Sequence, residues 1–220
     1  MIESTGIVAF IHAKGSSERV PSKNKQYIGE KPLYAHAVSI AMQSKEVAMV
    51  AIDSDDDEIL AGGERLGAVP VRRAPGMSTN ATAGDELEYW AARNAPMSEA
   101  IAVVIPTSPF LSPESVDGAI RLLRERQADS VAGVRSAKLF LWENGRPAYG
   151  CKRTTQAMPW TTWETTGLYI VRTSFALEHQ QRINYQDCLP YELPLIESID
   201  IDTPEDLKFA RYLWSGMHDV

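Results

Sequence analysis

Through the first 135 residues, short apolar runs alternate with stretches whose apolar positions recur at helical spacing. The run "GIVAFIH" (6–12) is β-branched and almost wholly apolar, which predicts a strand buried on both faces. "KPLYAHAVSIAMQS" (31–44) places Leu33, Ala37, Ile40 and Ala41 on one helical face. "VAMVAID" (47–53) is a second apolar strand, and the acidic "DSDDDE" after it suits the first turn of a helix over about 55–66, where carboxylates meet the positive helix end. "AVPVRR" predicts a third strand, and a loop and a helix near 82–94 follow. "AIAVVIP" (100–106) is another buried strand. The helix over 112–127 is signalled by Ser112 as cap, Pro113 at its first position and a Val116, Ile120, Leu123 stripe. "DSVAGV" (129–134) adds a strand.

The pattern then changes. "LFLWENGRPAYG" sets Asn144-Gly145 between two strand-like runs, a hairpin signal over 138–150. Next come "GLYIVR" (167–172), a short helix near 173–181, the segment "IESIDID" (196–202), and a helix opened by "TPEDL" with Leu207, Ala210 and Trp214 on one face. The alternation predicts an α/β fold, a mostly parallel sheet with helices on both sides, interrupted by an excursion over 136–166. No repeat, low-complexity tract or linker divides residues 1–220, so one domain is expected.

Composition narrows the reading. Hydrophobic content of 44% and charged content of 23% fit a globular protein. A net charge of -7 argues against a general nucleic-acid binder and makes any basic cluster a local feature. No apolar run approaches the roughly 20 residues that span a bilayer. The first residues lack a signal-type pattern, and Cys151 and Cys188 have no zinc-type spacing and read as reduced thiols. A cytoplasmic protein is expected.

One basic cluster lies directly off the first strand, in "FIHAKGSSERVPSKNK" (10–25), where Lys14, Arg19, Lys23 and Lys25 surround Gly15-Ser16-Ser17. In such sheets ligands bind beyond the carboxyl ends of the strands. Gly15 and the small serines let backbone N–H groups face anionic oxygens, while the cations neutralise charge. The loop is neither GxxxxGK[ST] nor GxGxxG. On its own it fits a plain surface loop as well as a polyphosphate site.

The wider sequence resembles the CMP-sialic acid synthetase family, cytidylyltransferases that activate acidic sugars. "HAKGSSERVPSKN" is similar to that family's "PARGGSKRIPRKN": Ala13, Gly15, Ser17, Arg19, Pro21, Lys23 and Asn24 are identical. "IDSDDDEIL", "IPTSPFLSPESVDGAI" and "SIDIDTPEDL" resemble later family motifs in the right order, so the likeness runs from about residue 6 to residue 213. It implies a Rossmann-like fold of nucleotide-diphospho-sugar transferase type and CTP as substrate. It also implies an acidic small-molecule acceptor and a homodimer in which the hairpin excursion crosses to a second subunit. Ala13, Lys14, Gly15, Ser17, Lys23, Asn24 and Arg73 are then the nucleotide residues, with Lys14, Lys23 and Asp202 acting in catalysis.

"IDID" puts Asp200 and Asp202 at i and i+2, on the same side if the segment is a strand. Two such carboxylates suit Mg²⁺, which takes oxygen ligands from one or two carboxylates and from phosphates. Against this, Asp202 or Thr203 could cap the helix that Pro204 begins. Capping leaves Asp200 unexplained, and with the resemblance both aspartates read as Mg²⁺ ligands. "DSDDDE" reads as a solvated helix start. His12, at a strand end, and His36, within a helix, fit structural roles better than acid–base roles.

Departures from the family concentrate on the acceptor side. Ile105 replaces a glutamine, Thr155-Gln156 replaces an Arg-Gln pair, Thr166 replaces an asparagine, Asn80 stands where many members have aspartate, and Glu18 replaces a lysine. Gln156, Trp163 and Thr166 are the candidate acceptor contacts. Trp160 and Trp163 fit packing in a core or interface, or a stacking wall. The altered residues imply an acceptor other than the common sialic acid: a different nonulosonate, another acidic sugar or a small phosphonate. Two rivals remain, a sugar-1-phosphate nucleotidyltransferase, whose GxGxR loop is absent, and a non-catalytic nucleotide binder, which needs no paired carboxylates.

Overall fold

The computed structural model describes residues 1–79, 81–150 and 154–218. In chain order the strands are β1 (Ile7–His12), β2 (Tyr27–Ile28), β3 (Lys31–Pro32), β4 (Val47–Ser54), β5 (Val69–Arg72), β6 (Ala100–Val104), β7 (Ser130–Ala137), β8 (Trp142–Glu143), β9 (Arg146–Pro147), β10 (Thr161–Arg172) and β11 (Cys188–Glu192). The helices are α1 (Leu33–Gln43), α2 (Asp57–Arg65), α3 (Gly84–Asn94), α4 (Pro113–Glu125), α5 (Thr173–His179) and α6 (Pro204–His218).

Seven strands form one sheet in the order β11-β7-β10-β6-β1-β4-β5. β1 is flanked in parallel by β4 and β6, and β10 alone runs antiparallel to its neighbours. Every residue of β1 is buried, as its continuous apolar run requires. One core layer packs α1, α2 and α4 on one face of the sheet, around Ile11, Ile52, Ile59, Ile120 and Leu168. The opposite layer packs α3 and α5 around Phe10, Val103, Tyr169 and Phe175. A third cluster joins Val20 and Ile28 to Ile201, Leu207 and Ala210. It ties the 12–25 loop to the segment before α6, and so brings together residues nearly 180 positions apart in sequence.

The mostly parallel α/β sheet agrees with the alternation in the sequence. Ser112 caps α4, with its Oγ accepting from the Ser115 N–H and Pro113 in the first turn. Asn144 and Gly145 both have positive φ, as a two-residue hairpin turn between β8 and β9 requires.

Three expectations change. Residues 196–202 are not a strand: Ile196–Ser198 is a 3-10 turn and the rest is extended chain, anchored by the Ile201 N–H to the Thr107 carbonyl at 2.9 Å. β10 starts at Thr161, six residues before the apolar run, because its polar first half pairs with the equally polar end of β7. β11 went unread, since its Pro190 weakens the strand pattern; as an edge strand beside β7 alone, it tolerates the missing N–H. Cys188 is a free, half-buried thiol, and Cys151 lies outside the described residues. No helix among the described residues is long and apolar enough to cross a membrane.

Candidate active site

A cleft of about 450 Å³ opens at the carboxyl ends of β1, β4 and β6, lined by the 12–25 loop, the chain after β5, the start of α3 and residues 105–107. Lys14, Ser17, Lys23, Asn24 and Arg73 line it, joined by Arg19 and Glu18. The loop is built from within. Asn24 is buried and its side-chain amide donates to the Lys14 carbonyl at 2.8 Å, closing the loop on itself. Ala13 is fully buried, its N–H donating to the Asp53 carbonyl. Gly15 runs so close to α2 that an added Cβ would lie 2.7 Å from Asp56 atoms, and its N–H donates to Asp55 Oδ1 at 2.8 Å. Ala13 and Gly15 therefore shape the loop, while Lys14, Ser17, Lys23 and Asn24 face the cleft.

The two aspartates sit at its edge without the strand expected for them. Lys23 Nζ donates to Asp202 Oδ1 at 3.0 Å and to the Ile201 carbonyl at 2.9 Å, and Arg19 reaches the same Asp202 oxygen at 3.0 Å. Burial pushes the Asp202 carboxyl up, but the Lys23 ammonium and then Arg19 hold it below the ordinary range. Asp200 behaves oppositely. Burial raises its pKa, hydrogen bonds from Thr107 and Thr166 and the charge of Lys23 oppose the rise, and Asp202 adds repulsion. Asp200 Oδ1 is buried without a hydrogen-bond partner. An orphaned carboxylate oxygen beside a second carboxylate fits a hard cation. Among the described residues no group of three or more His, Cys, Asp or Glu side chains converges, so any cation held here takes its remaining ligands from phosphate and water.

The capping alternative is resolved by α6 itself. Thr203 Oγ1 accepts from the Asp206 N–H at 3.2 Å, and Asp206 Oδ2 accepts from the Thr203 and Asp202 N–H groups at 2.7 and 3.0 Å. Thr203 and Asp206 cap the helix reciprocally, which leaves the Asp202 side chain to the loop cations.

The "DSDDDE" cluster is not one solvated helix start. Asp56 caps α2 through the Glu58 and Ile59 N–H groups, but Asp53 is wholly buried. Its Oδ2 lies 2.8 Å from His12 Nδ1, 2.7 Å from an Arg73 terminal nitrogen and 2.8 Å from Arg73 Nε. Burial raises the Asp53 carboxyl, yet His12 and Arg73 together hold it below the usual carboxylate range. Arg73 is thus buried in an ion pair at the cleft floor. The period-two alternation that puts Asp53 beside buried Ala51 was the signal available for it.

Of the acceptor candidates, Thr166 meets Asp200, and it does so with φ of 61° in the irregularity where β10 changes register. Gln156 is exposed in a 3-10 turn, its carbonyl accepting from Lys138 Nζ. Trp163 is part-exposed on the outer half of β10. Neither lines the cleft within one chain. Trp160 is 68% and Trp142 64% exposed, so neither packs in this chain's core. Asn80 lies outside the described residues. Sequence reasoning missed Thr107, which lines the cleft and contacts Asp200, and Glu88 on α3, 1% exposed and with Oε2 unpartnered. Burial pushes the Glu88 carboxyl up to about 7, against the pull of His12 and Arg182.

The sheet order, the cationic loop off β1 and the carboxylates before the last helix define a nucleotide-handling α/β protein of nucleotidyltransferase type. The chain belongs to the cytidylyltransferase family, whose model matches residues 8–216. It is 25% identical over 236 residues to the CMP-N,N'-diacetyllegionaminic acid synthase of Legionella pneumophila, covering 94% of this chain and 95% of that protein. It is 29% identical over 142 residues to the N-acylneuraminate cytidylyltransferase of Oncorhynchus mykiss, covering 64% of this chain but 33% of that protein. The chain thus matches about a third of that longer relative. In fold it is similar to a CMP:2-keto-3-deoxy-manno-octonic acid synthetase complexed with CTP, with a TM-score of 0.74 at 16% identity, covering 97% of this chain and all of that one.

Proposed function

We propose that the chain transfers CMP from CTP to an acidic sugar of nonulosonate type, with release of pyrophosphate. The observation that carries this is the juxtaposition at the cleft edge: Lys23 and Arg19 converge on Asp202, beside Asp200 with its unpartnered oxygen. Family membership, and relatives named for CMP-linked acidic sugars, support the substrate class.

In this reading Lys14, Arg19 and Lys23 neutralise the triphosphate, and the Gly15 loop lets its backbone approach the phosphates. Asp200 and Asp202 would hold Mg²⁺, which when bound supplies charge neutralisation at the phosphates. An acceptor oxygen forms its bond to the α-phosphorus as the bond from that phosphorus to the bridging oxygen of the β-phosphate breaks; pyrophosphate leaves, and any proton on the acceptor oxygen passes to water. The chain's own work is alignment and charge compensation rather than covalent catalysis.

A second acceptor class is favoured by one observation. Ile105 lines the cleft and offers no hydrogen bond where the resembling family has glutamine, so a smaller acidic acceptor such as a phosphonate fits this wall as well. The excursion supports a homodimer. Phe140, Trp142 and Trp160 are exposed there, beside a groove of about 390 Å³ lined by Leu139, Leu141, Tyr149 and Met158. A second subunit would cover this surface and bring Gln156 and Trp163 toward an acceptor. The test is pyrophosphate release from CTP with Mg²⁺ across sialic acid, other nonulosonates, 3-deoxy-octulosonate and small phosphonates. Release with one acceptor supports the reading; CTP binding without release for any of them supports a non-catalytic binder.

A further inference from the structure

We infer that His12 reads the nucleobase, selecting an amino-bearing pyrimidine over one with a carbonyl at the same position; this rests on the CTP reading above. The cleft is chemically divided. Arg19 and Lys23 lie on the side of Asp202, whereas Met77, Thr79, Thr82 and Leu87 form a wall with little charge. A polyanion belongs with the cations, which leaves the weakly charged end, where His12 and Arg73 form the floor, for the base.

The tautomer of His12 is dictated by its partner. Nδ1 lies 2.8 Å from Asp53 Oδ2, and Asp53 is held ionised by His12 itself and by Arg73. A carboxylate only accepts, so Nδ1 carries the proton, and in the neutral ring Nε2 is left as a lone-pair acceptor. Arg73 shares the Asp53 charge from the other side. The ring is fixed further by stacking over Phe10, at a centroid distance of 6.0 Å. His12 lines the cleft, its side chain is 3% exposed, and Nε2 is buried with no hydrogen-bond partner among the described residues.

A buried acceptor left unmet is unfavourable, and a ligand that donates to it recovers the loss. The exocyclic amine of cytosine donates. The carbonyl that uracil carries at that position accepts, and would face another lone pair. Discrimination of this kind is large because the wrong base leaves polar atoms unmatched. His12 aligns with the proline that opens the resembling family's loop signature, and proline has no such nitrogen.

The other groups facing His12 are Asp53 on β4, Arg73 after β5 and Glu88 on α3, whose own Oε2 is unpartnered. The competing account is that Nε2 serves only Glu88, as part of the core.

The experiment is calorimetric titration of the full chain with CTP and with UTP, for wild type, His12→Phe and His12→Asn, with thermal melts of each. His12→Phe keeps the ring over Phe10. His12→Asn keeps a donor for Asp53, so one variant remains informative if the other does not fold. Wild type should favour CTP by about tenfold or more, the size of one hydrogen bond in a buried site. Both variants should bring the ratio toward one, mainly through weaker CTP binding, and in turnover should raise KM for CTP more than they lower kcat. A ratio unchanged in a folded variant, or a melting temperature that shifts while the ratio stays, overturns the inference and assigns His12 to the core. A wild type that binds both nucleotides equally also overturns it. A wild type that binds neither overturns the CTP reading as well.

Discussion

Lys23 Nζ stands 3.0 Å from Asp202 Oδ1, so a cation proposed for the triphosphate is paired with a carboxylate proposed for the metal. In the proposed reading Lys23 would turn to phosphate oxygens and Asp202 would help hold the cation. The Lys23 side chain is 15% exposed and that of Asp202 42%, so solvent screens the pair only in part.

Asp202→Asn should therefore separate binding from turnover. The amide frees Lys23 and removes a negative charge, so affinity for CTP without Mg²⁺ should hold or rise. Mg²⁺-dependent pyrophosphate release should fall by on the order of 100-fold or more. Titration calorimetry without metal and a coupled pyrophosphate assay give the two numbers.

Arg73→Met should leave Asp53 ionised and buried beside a single partner, His12. Removing one member of a buried pair typically costs about 3 to 5 kcal/mol, because the remaining charge loses its compensation. Urea unfolding of the variant should show a loss of about this size, together with weaker nucleotide binding.

Glu88 predicts a pH dependence of stability. Its folded pKa is about 7 against an ordinary 4.5, so the folded state holds the proton more tightly than the unfolded one. The effect is absent below the unfolded pKa, stability falls as pH rises from 4.5 to about 7, and above that the full penalty remains. A shift of this size corresponds to about 3 kcal/mol. Glu88→Gln should match wild type near pH 4 and exceed it at pH 8, read from melting temperatures across that range.

Thr166 has φ of 61°, a region that β-branched residues avoid and asparagine tolerates. Thr166→Asn should relieve about 1 kcal/mol of backbone strain while keeping a side-chain donor in place of the hydroxyl that bonds the Thr165 carbonyl. Denaturant unfolding should show a gain in stability, and Thr166→Val, which keeps the branch but loses the donor, should show none.

The alternation of apolar strands and amphipathic helices made the sheet legible, because strands buried on both faces read as continuous apolar runs and α4 carries its own cap. The hairpin was legible because Asn144-Gly145 can occupy positive φ at both positions. What stayed hidden depends on tertiary contact. Strand alternation with Ala51 was the one hint that sets Asp53 apart from Asp55 and Asp56, and it does not show the burial under His12 and Arg73. Asp200 and Asp202 were found as a pair, but their setting was misjudged. The Ile201 N–H bonds to Thr107 rather than to a neighbouring strand, and that carbonyl lies more than ninety residues away in sequence. Thr107 and Glu88 gave no signal, since a hydroxyl next to a carboxylate and a glutamate facing inward from α3 are visible only once the sheet is assembled.

The most direct test is the dependence of pyrophosphate release on Mg²⁺, with CTP and the responsive acceptor, in wild type, Asp200→Ala and Asp202→Ala. Saturable Mg²⁺-dependent release in wild type, lost in both variants while their melting temperatures stay near wild type, is the predicted result. Release from folded Asp200→Ala and Asp202→Ala at the wild-type rate and Mg²⁺ requirement would contradict the assignment of this cleft edge as the centre of the reaction.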